Sequence, residues 1–587
     1  MISFKAFHPG ARAWRSCAAA LCSTFLLLSA CAELPQNVQR PVSRALASPA
    51  GTPLAQLVQQ RRQAASTRNE SGFMLLDGPP AAYGSRLALA EGARKTLDLQ
   101  YYAIHADAST ERLLTAVRDA AARGVRVRIL LDDFHSTGRN ASVMRLAFVP
   151  NIEMRMFNPV PGSRGSSLAR MFNAIEDASR IQQRMHNKLF IADNVLGVTG
   201  GRNLGDAYFG NAQAGNFVDM DVLAAGPIVQ DLSRSFDAYW NNERAYPVQS
   251  LVKREELEEL RNESRNEGRS EHEKDANTGA PRPPDGEPQP RKAEPTAEQQ
   301  NRAWDEKAMD LSTASFVWAP AAVMVDKPAK IPADSPGGGA GTGKAPGLVV
   351  AQQGQGRTAA ASGGSLGGAA AAASNGDTVV EGLLQMIGRA QSDLLIISPY
   401  FVPGPDMKHA FASALARGVK IRVLTNSLAS NDAPLAHVGY ARHREEMLAM
   451  GIGLYELRSE QAGLGSAFGS AGGSTLGESR SMLHSKVLVM DGRLLVVGSM
   501  NLDLRSQLQN TEIALLIRSD ELSRIAAGQI ETAMAKAAWH VERSNGGLVW
   551  RAPQDSGLKD STTDPDASVG LRLLLRLFGP LAPDRLL

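Results

Sequence analysis

Two histidines and two lysines recur in one pattern: His186-Asn-Lys188 with Asp193 five residues after the lysine, and His484-Ser-Lys486 with Asp491 five residues after the lysine. The match continues downstream, through Gly200-Gly-Arg-Asn203 in the first copy and Gly498-Ser-Met-Asn501 in the second. A single His-x-Lys-x4-Asp arises by chance, and a lone histidine is more often packed core than chemistry. Two copies with an asparagine at a matched offset point instead to a phosphodiester substrate. Such a bond needs a nucleophile, a proton for the leaving alkoxide, and positive charge on the phosphoryl oxygens. One imidazole can attack phosphorus while a second, protonated one releases the alcohol and then activates the acceptor. Lysine ammonium groups and asparagine amides supply the remaining charge and hydrogen bonds, with no metal ion or other cofactor required.

Strands must position these side chains. Residues two apart share one face of a strand, and each motif opens an apolar run, Leu189-Phe-Ile191 or Val487-Leu-Val-Met490. Each run closes in a turn dipeptide, Asp193-Asn194 or Asp491-Gly492, before a second apolar run, Val195 to Val198 or Leu494 to Val497. That is a hairpin pattern, and it makes Asp193 and Asp491 turn residues as readily as members of the catalytic set. Upstream, Leu97 to Tyr102, a helical stretch Glu111 to Arg123, Gly124 and Val125 to Leu131 parallel Leu394 to Ser398, Met407 to Arg417, Gly418 and Val419 to Leu424. The junction Ala-Arg-Gly-Val occurs at 122–125 and again at 416–419. Each half therefore reads as strand, helix, strand, helix, hairpin. The expected fold is α/β, two similar fused lobes that each carry a mixed sheet flanked by helices. Each lobe has one histidine and one lysine of the set, so the active site is expected where the lobes meet.

These residues resemble the phospholipase D superfamily, whose members carry paired His-x-Lys-x4-Asp motifs on two fused lobes. The resemblance implies that one of His186 and His484 forms a phosphohistidine, with family precedent favouring His186, while the other acts as general acid and base. It implies that Lys188, Lys486, Asn203 and Asn501 grip the phosphate and that Asp193 and Asp491 support them. An acidic residue downstream of each motif orients a histidine in that family. Glu512 matches it in the second half, and Asp219 is the best match in the first, at a distance from Asn203 five residues longer than that of Glu512 from Asn501. Within the superfamily the chain is most similar to bacterial C-type cardiolipin synthases, on Leu97 to Tyr102, Leu131-Asp-Asp-Phe134 and Ser398-Pro-Tyr-Phe-Val-Pro403. The implied activity is phosphatidyl transfer onto phosphatidylglycerol, with phosphatidylethanolamine suggested as donor and a helper protein left open.

Residues 1–30 have a basic start, an apolar run from Cys17 to Leu28, and a close in Leu28-Ser-Ala-Cys31. This reads as a signal peptide with Cys31 as the lipidated first residue, and the apolar run is shorter than the roughly 20 residues that span a bilayer. The segment resembles Gram-negative lipoprotein signals, and by that resemblance Ala32, not Asp, after the cysteine favours the outer membrane, with the protein facing the periplasm. Of three cysteines only Cys31 survives processing, so no internal disulfide or cysteine metal site is expected.

The chain has 587 residues, and Lys plus Arg exceed Asp plus Glu by 63 to 60. A net charge of +3 offers no broad basic field for nucleic acid, so the expected partners are anionic and zwitterionic phospholipids and a membrane surface. The expected divisions are a first lobe over 66–250, a flexible linker over 251–375 with an ordered island near 311–331, a second lobe over 376–550, and a tail over 551–587. Leucines and arginines between Val569 and Leu587 fit a helix that packs on the second lobe or lies in a membrane interface. The alternatives to transfer are hydrolysis at the same site, as a phospholipase D or an exported nuclease, and a non-catalytic lipid-binding scaffold.

Overall fold

The computed structural model describes residues 34–67, 69–161, 164, 178–212, 215–259, 306–331, 347–353, 365–459, 480–544, 546–579 and 583–584. The signal segment with Cys31, and residues 260–305 of the expected linker, lie outside them.

The apolar runs around the motifs become strands at the centres of two sheets. The strands of the first half are β1 (Ser71–Leu76), β2 (Thr96–Tyr101), β3 (Arg126–Asp132), β4 (Ile152–Phe157), β5 (Leu189–Ala192), β6 (Leu196–Gly200), β7 (Gly215–Val218), β8 (Asp221–Ala225) and β9 (Ala245–Pro247), joined by β10 (Val317–Ala319). Among the described residues nine of these form one sheet in the order β10-β1-β8-β6-β5-β2-β3-β4-β9. β2, β3 and β4 run parallel, and the other pairings are antiparallel.

The second half repeats the plan. Its strands are β11 (Ala321–Asp326), β12 (Leu348–Gln352), β13 (Asp393–Ile397), β14 (Lys420–Asn426), β15 (Gly453–Leu457), β16 (Arg480–Leu483), β17 (Val487–Met490), β18 (Leu494–Gly498), β19 (Ile513–Arg518), β20 (Ala538–Ser544) and β21 (Gly547–Arg551). Ten of them form a sheet in the order β12-β11-β19-β18-β17-β13-β14-β15-β20-β21, with β13, β14 and β15 parallel. The repeated glycines after the helices Ala108–Ala122 and Pro405–Ala416 have φ of 90° at Gly124 and 84° at Gly418, the left-handed cap that glycine adopts without a Cβ clash.

The linker residues contribute to both sheets. Val317–Ala319 pairs with β1 of the first sheet and Ala321–Asp326 with β19 of the second, so the chain changes lobes across Pro320. Leu348–Gln352, in the Gly- and Ala-rich connection, is an edge strand on β11, and Ser365–Ala373 is a helix. Aliphatic side chains rather than composition decide this: Val350, paired in register with Met324, is buried in one cluster with Met324 and Leu383.

Two helices fill the space between the sheets. Pro227–Trp240 buries Ile228, Leu232 and Phe236, and Asp520–Lys536 buries Leu522, Ala526 and Ile530, in one cluster with Val323, Leu515 and Ile517. Each such large aliphatic or aromatic burial contributes about 1.5–3 kcal/mol, so the lobes share one core. The helix Val569–Phe578 packs Leu571 and Leu575 onto Leu428 and Val438 of the second lobe, leaving Val569, Leu573 and Leu577 exposed. No helix among the described residues is long and apolar enough to cross a membrane.

Candidate active site

Register fixes where the histidines sit. Gln100 near the end of β2 pairs with Leu189, and Ile397 at the end of β13 pairs with Val487. His186 and His484, just ahead of β5 and β17, therefore lie past the C-terminal ends of the parallel strands. Both segments cross to the other lobe. The backbone N–H of His186 donates to Thr511 O at 2.9 Å and that of Thr511 to Arg184 O at 2.9 Å. In the other copy β16 pairs in parallel with β7, and the N–H of His484 donates to Val218 O at 2.8 Å.

The same crossing gives each imidazole an acid from the opposite lobe. His186 Nδ1 lies 2.9 Å from Glu512 Oε2, and His484 Nδ1 lies 2.7 Å from Asp219 Oδ2. A carboxylate on Nδ1 holds the proton there and leaves Nε2 to face the cleft. Glu512 also accepts from the hydroxyls of Ser499 and Ser506, the latter at 3.0 Å. In the first copy Gly201 stands where Ser499 stands, and a Cβ there would meet Asp219 Oδ1 at 2.4 Å, so glycine makes room for the shorter acid. The extra residues before Asp219 include β7, the strand that carries the crossing.

Behind Glu512 stands the island of the linker. Asp326 Oδ2 accepts the Glu512 N–H at 3.0 Å and the Lys330 ammonium at 2.8 Å, while Lys330 also donates to Ser506 O.

Burial dominates the electrostatics. It pushes His484 down to about 4, with Lys486 adding to the shift, and it holds His186 well below its ordinary value, with Lys188, Lys486 and Arg505 acting in the same direction. Burial lowers Lys486 to about 8 and Lys188 well below a free lysine. It raises Glu512 to about 7 against the pull of Lys188. Burial also acts upward on Asp219, but the His484 hydrogen bond and the charges of His484, Arg202 and Lys486 outweigh it and keep Asp219 low. An anion entering between the lysines would favour their charged forms and oppose the downward shift.

The sequence-derived residues divide into those in the cluster and those outside it. Lys188 Nζ donates to His186 O at 2.6 Å and Lys486 Nζ to His484 O at 2.5 Å, so each ammonium is held beside its own histidine with donors to spare. The Asn203 amide is engaged by the protein, accepting from Ala103 N and donating to the Tyr208 hydroxyl. Asn501, 6% exposed, has no side-chain partner for its Oδ1 among the described residues.

Asp193 and Asp491, grouped above with the catalytic set, stand apart from it. Both have positive φ in the hairpin turns, 50° and 52°. Asp193 caps the backbone N–H groups of Arg94, Lys95 and Thr96, and Asp491 those of Gln391, Ser392 and Asp393. A strand rises about 3.3 Å per residue, so each aspartate sits at the opposite end of its strand from the histidine and anchors the start of β2 or β13.

Rings line the first-lobe wall in a continuous arc. Tyr102 packs edge-on to His186 at 5.0 Å and to His135 at 4.9 Å, His135 is 6.1 Å from His105, His105 is 6.3 Å from Tyr208, and Tyr208 is 5.3 Å from His484. Motif reading missed His105, His135 and Tyr208, together with Ser499, Ser506 and Arg505. Placement past the ends of β2 and β3 was the available signal for the two histidines. No group of three or more His, Cys, Asp or Glu among the described residues is placed to hold a metal ion.

A family model described as "Cardiolipin synthase, PLD-like domain" matches residues 87–240 and again 383–534. Cardiolipin synthase C of Escherichia coli (strain K12) is 33% identical over 524 residues, covering 88% of this chain and 96% of that protein. Cardiolipin synthase A of Yersinia pseudotuberculosis serotype IB (strain PB1/+) is 22% identical over 479 residues, 81% of this chain and 71% of its own length. The crystal structure of phosphatidylserine synthase from Haemophilus influenzae Rd KW20 aligns at a TM-score of 0.49 and 14% identity, covering 90% of this chain and 98% of that one.

Proposed function

The chain belongs to the phospholipase D superfamily, with two copies of the cardiolipin synthase, PLD-like domain, and from that membership we propose that this enzyme, a phosphatidyltransferase, makes cardiolipin from phosphatidylglycerol and a second phospholipid. The observation that carries the reading is the crossed pairing of His186 with Glu512 and His484 with Asp219, which puts two oriented imidazoles and two buried ammonium groups in one cleft.

In the first step Nε2 of one histidine attacks the phosphorus of the donor phospholipid. The phosphorus–oxygen bond to the head group breaks, and the second histidine, entering as imidazolium, gives its Nε2 proton to the departing alkoxide. The phosphatidyl group is now on nitrogen. In the second step a hydroxyl of phosphatidylglycerol gives its proton to the second histidine and attacks phosphorus, and the nitrogen–phosphorus bond breaks to return the first. Two inversions retain configuration at phosphorus. Lys188, Lys486 and the Nδ2–H donors of Asn501 hold the phosphoryl oxygens; burial keeps the attacking histidine neutral at neutral pH, while the negative charge of the arriving phosphodiester and the acid on its Nδ1 let the second histidine carry a proton. The motif at Cys31 supports a lipoprotein anchored at a membrane facing the periplasm, the outer membrane being favoured by Ala32; acyl labelling lost in Cys31→Ala tests the anchor.

The deciding experiment is a lipid profile of cells that lack their own cardiolipin synthases and express the wild type, His186→Ala or His484→Ala. Cardiolipin is expected with the wild type and in neither variant. Phosphatidic acid in its place would make the enzyme a lipase, and no lipid change at all would sink the reading.

A further inference from the structure

We propose that His135 of the first lobe and Arg505 of the second form a second anion subsite beside the two lysines, and that it takes the phosphodiester of the acceptor phospholipid. The inference rests on the transferase reading above and names what selects the acceptor. Transfer of a phosphatidyl group onto phosphatidylglycerol leaves two phosphodiesters joined through one glycerol, so both must be near the cleft when the new bond forms. The lysines and Asn501 serve the phosphorus under attack. A second set of donors is needed a glycerol's length away.

Arg505 is the second residue of the short helix Leu504–Leu508, which follows Asn501 in sequence. Its side chain makes no ion pair or hydrogen bond with any described residue, and its Nε is buried without a partner. A guanidinium partly withdrawn from water with no carboxylate in contact is costly, and an arriving phosphate would relieve that cost through the planar donor geometry arginine offers. The chain after it returns to the ring wall: the Asn510 N–H donates to Arg505 O, and Asn510 Oδ1 accepts the N–H of Arg184, whose guanidinium lies 5.9 Å from the Phe134 ring beside His135. His135 stands in that wall one ring from His186, edge-on to Tyr102 at 4.9 Å. Its ring nitrogens have no hydrogen-bond partner among the described residues, whereas the neighbouring His105 is engaged by Asn140. His135 is half-buried, so its unused N–H can still reach a ligand. Two unpaired donors from opposite lobes, both next to the reacting imidazole and neither used by the chemistry, are what an acceptor phosphate would require.

The test is a partition experiment with the full chain in mixed micelles at fixed phosphatidylethanolamine. The phosphatidyl group can go to phosphatidylglycerol, to glycerol, which has the same primary alcohol without the phosphate, or to water. Arg505→Gln and His135→Gln are each expected to raise the KM for phosphatidylglycerol at least fivefold and to lower the ratio of phosphatidylglycerol product to glycerol product by a similar factor. Arg505→Lys should recover part of both. Equal losses with the two alcohols, or an unchanged KM in both variants, would overturn the subsite. Calorimetric binding of short-chain phosphatidylglycerol, with glycerol and inorganic phosphate as controls, separates the two readings. A wild type that binds it without turnover, and loses that binding in Arg505→Gln, would overturn the transferase reading and keep the subsite. Binding of inorganic phosphate alone would overturn the lipid assignment.

Discussion

Asp219 has no room to be replaced by a larger group, because Gly201 is small for its sake, and its carboxylate is paired with His484 Nδ1. Asp219→Asn keeps the shape but offers an amide where a carboxylate fixed the tautomer and stabilised an imidazolium. A loss on the order of 10²–10⁴ in kcat with little change in KM is expected, read by steady-state kinetics on micellar substrate. A change confined to KM would mean that Asp219 only shapes the cleft. Asp491 contrasts with it. Asp491→Asn tolerates positive φ yet offers its three backbone donors a neutral acceptor in place of a carboxylate, so a cost of about 1–3 kcal/mol in unfolding free energy is expected with kcat per folded molecule retained. Glu512 gives a pH signature. Its folded pKa of about 7 lies above the ordinary 4.5, so the folded state binds the proton more tightly. The stability this contributes is complete below the ordinary value and is lost as pH rises through 7. Glu512→Gln should therefore gain stability relative to the wild type between about pH 5 and pH 8 in thermal unfolding; a constant difference would show a carboxylate ionised throughout.

At the scale of elements, the island Ala321–Asp326 with Lys330 is a brace for the acid rather than a tether. Asp326 is buried, and its charge is matched by Lys330. Lys330→Met leaves that carboxylate uncompensated, and a loss of about 3–5 kcal/mol is expected, with part regained when Asp326→Asn is added. Denaturant unfolding of the single and double variants measures it, and simple additivity of the two losses would show the pair uncoupled. The hairpins β5–β6 and β17–β18, the paired strands β2–β3 and β13–β14, and the glycine caps were legible because each depends on residues close in sequence. The crossing was not. His186 and Glu512 are 326 residues apart, His484 and Asp219 are 265 apart, and nothing local distinguishes an acid that serves its own lobe from one that serves the other. For the same reason β12 was hidden in a Gly- and Ala-rich stretch, since its fate depends on the apolar face of β11.

For the whole molecule the question is whether the site closes within one chain. Two similar half-plans could in principle be exchanged between copies, first lobe of one on second lobe of another, as repeated folds permit. Three features oppose it: a single residue, Pro320, joins strands of the two sheets; the core cluster draws on both lobes; and each histidine segment is stitched to the opposite lobe by backbone hydrogen bonds. Exchange would have to break all three before re-forming them. Co-expression of His186→Ala with His484→Ala is therefore expected to yield no cardiolipin in a host lacking its own synthases, although each chain retains one intact motif. Swapped pairs would rebuild one wild-type cleft per heterodimer and restore synthesis, so recovered cardiolipin would show that the lobes exchange partners and that the crossed acids are shared between chains.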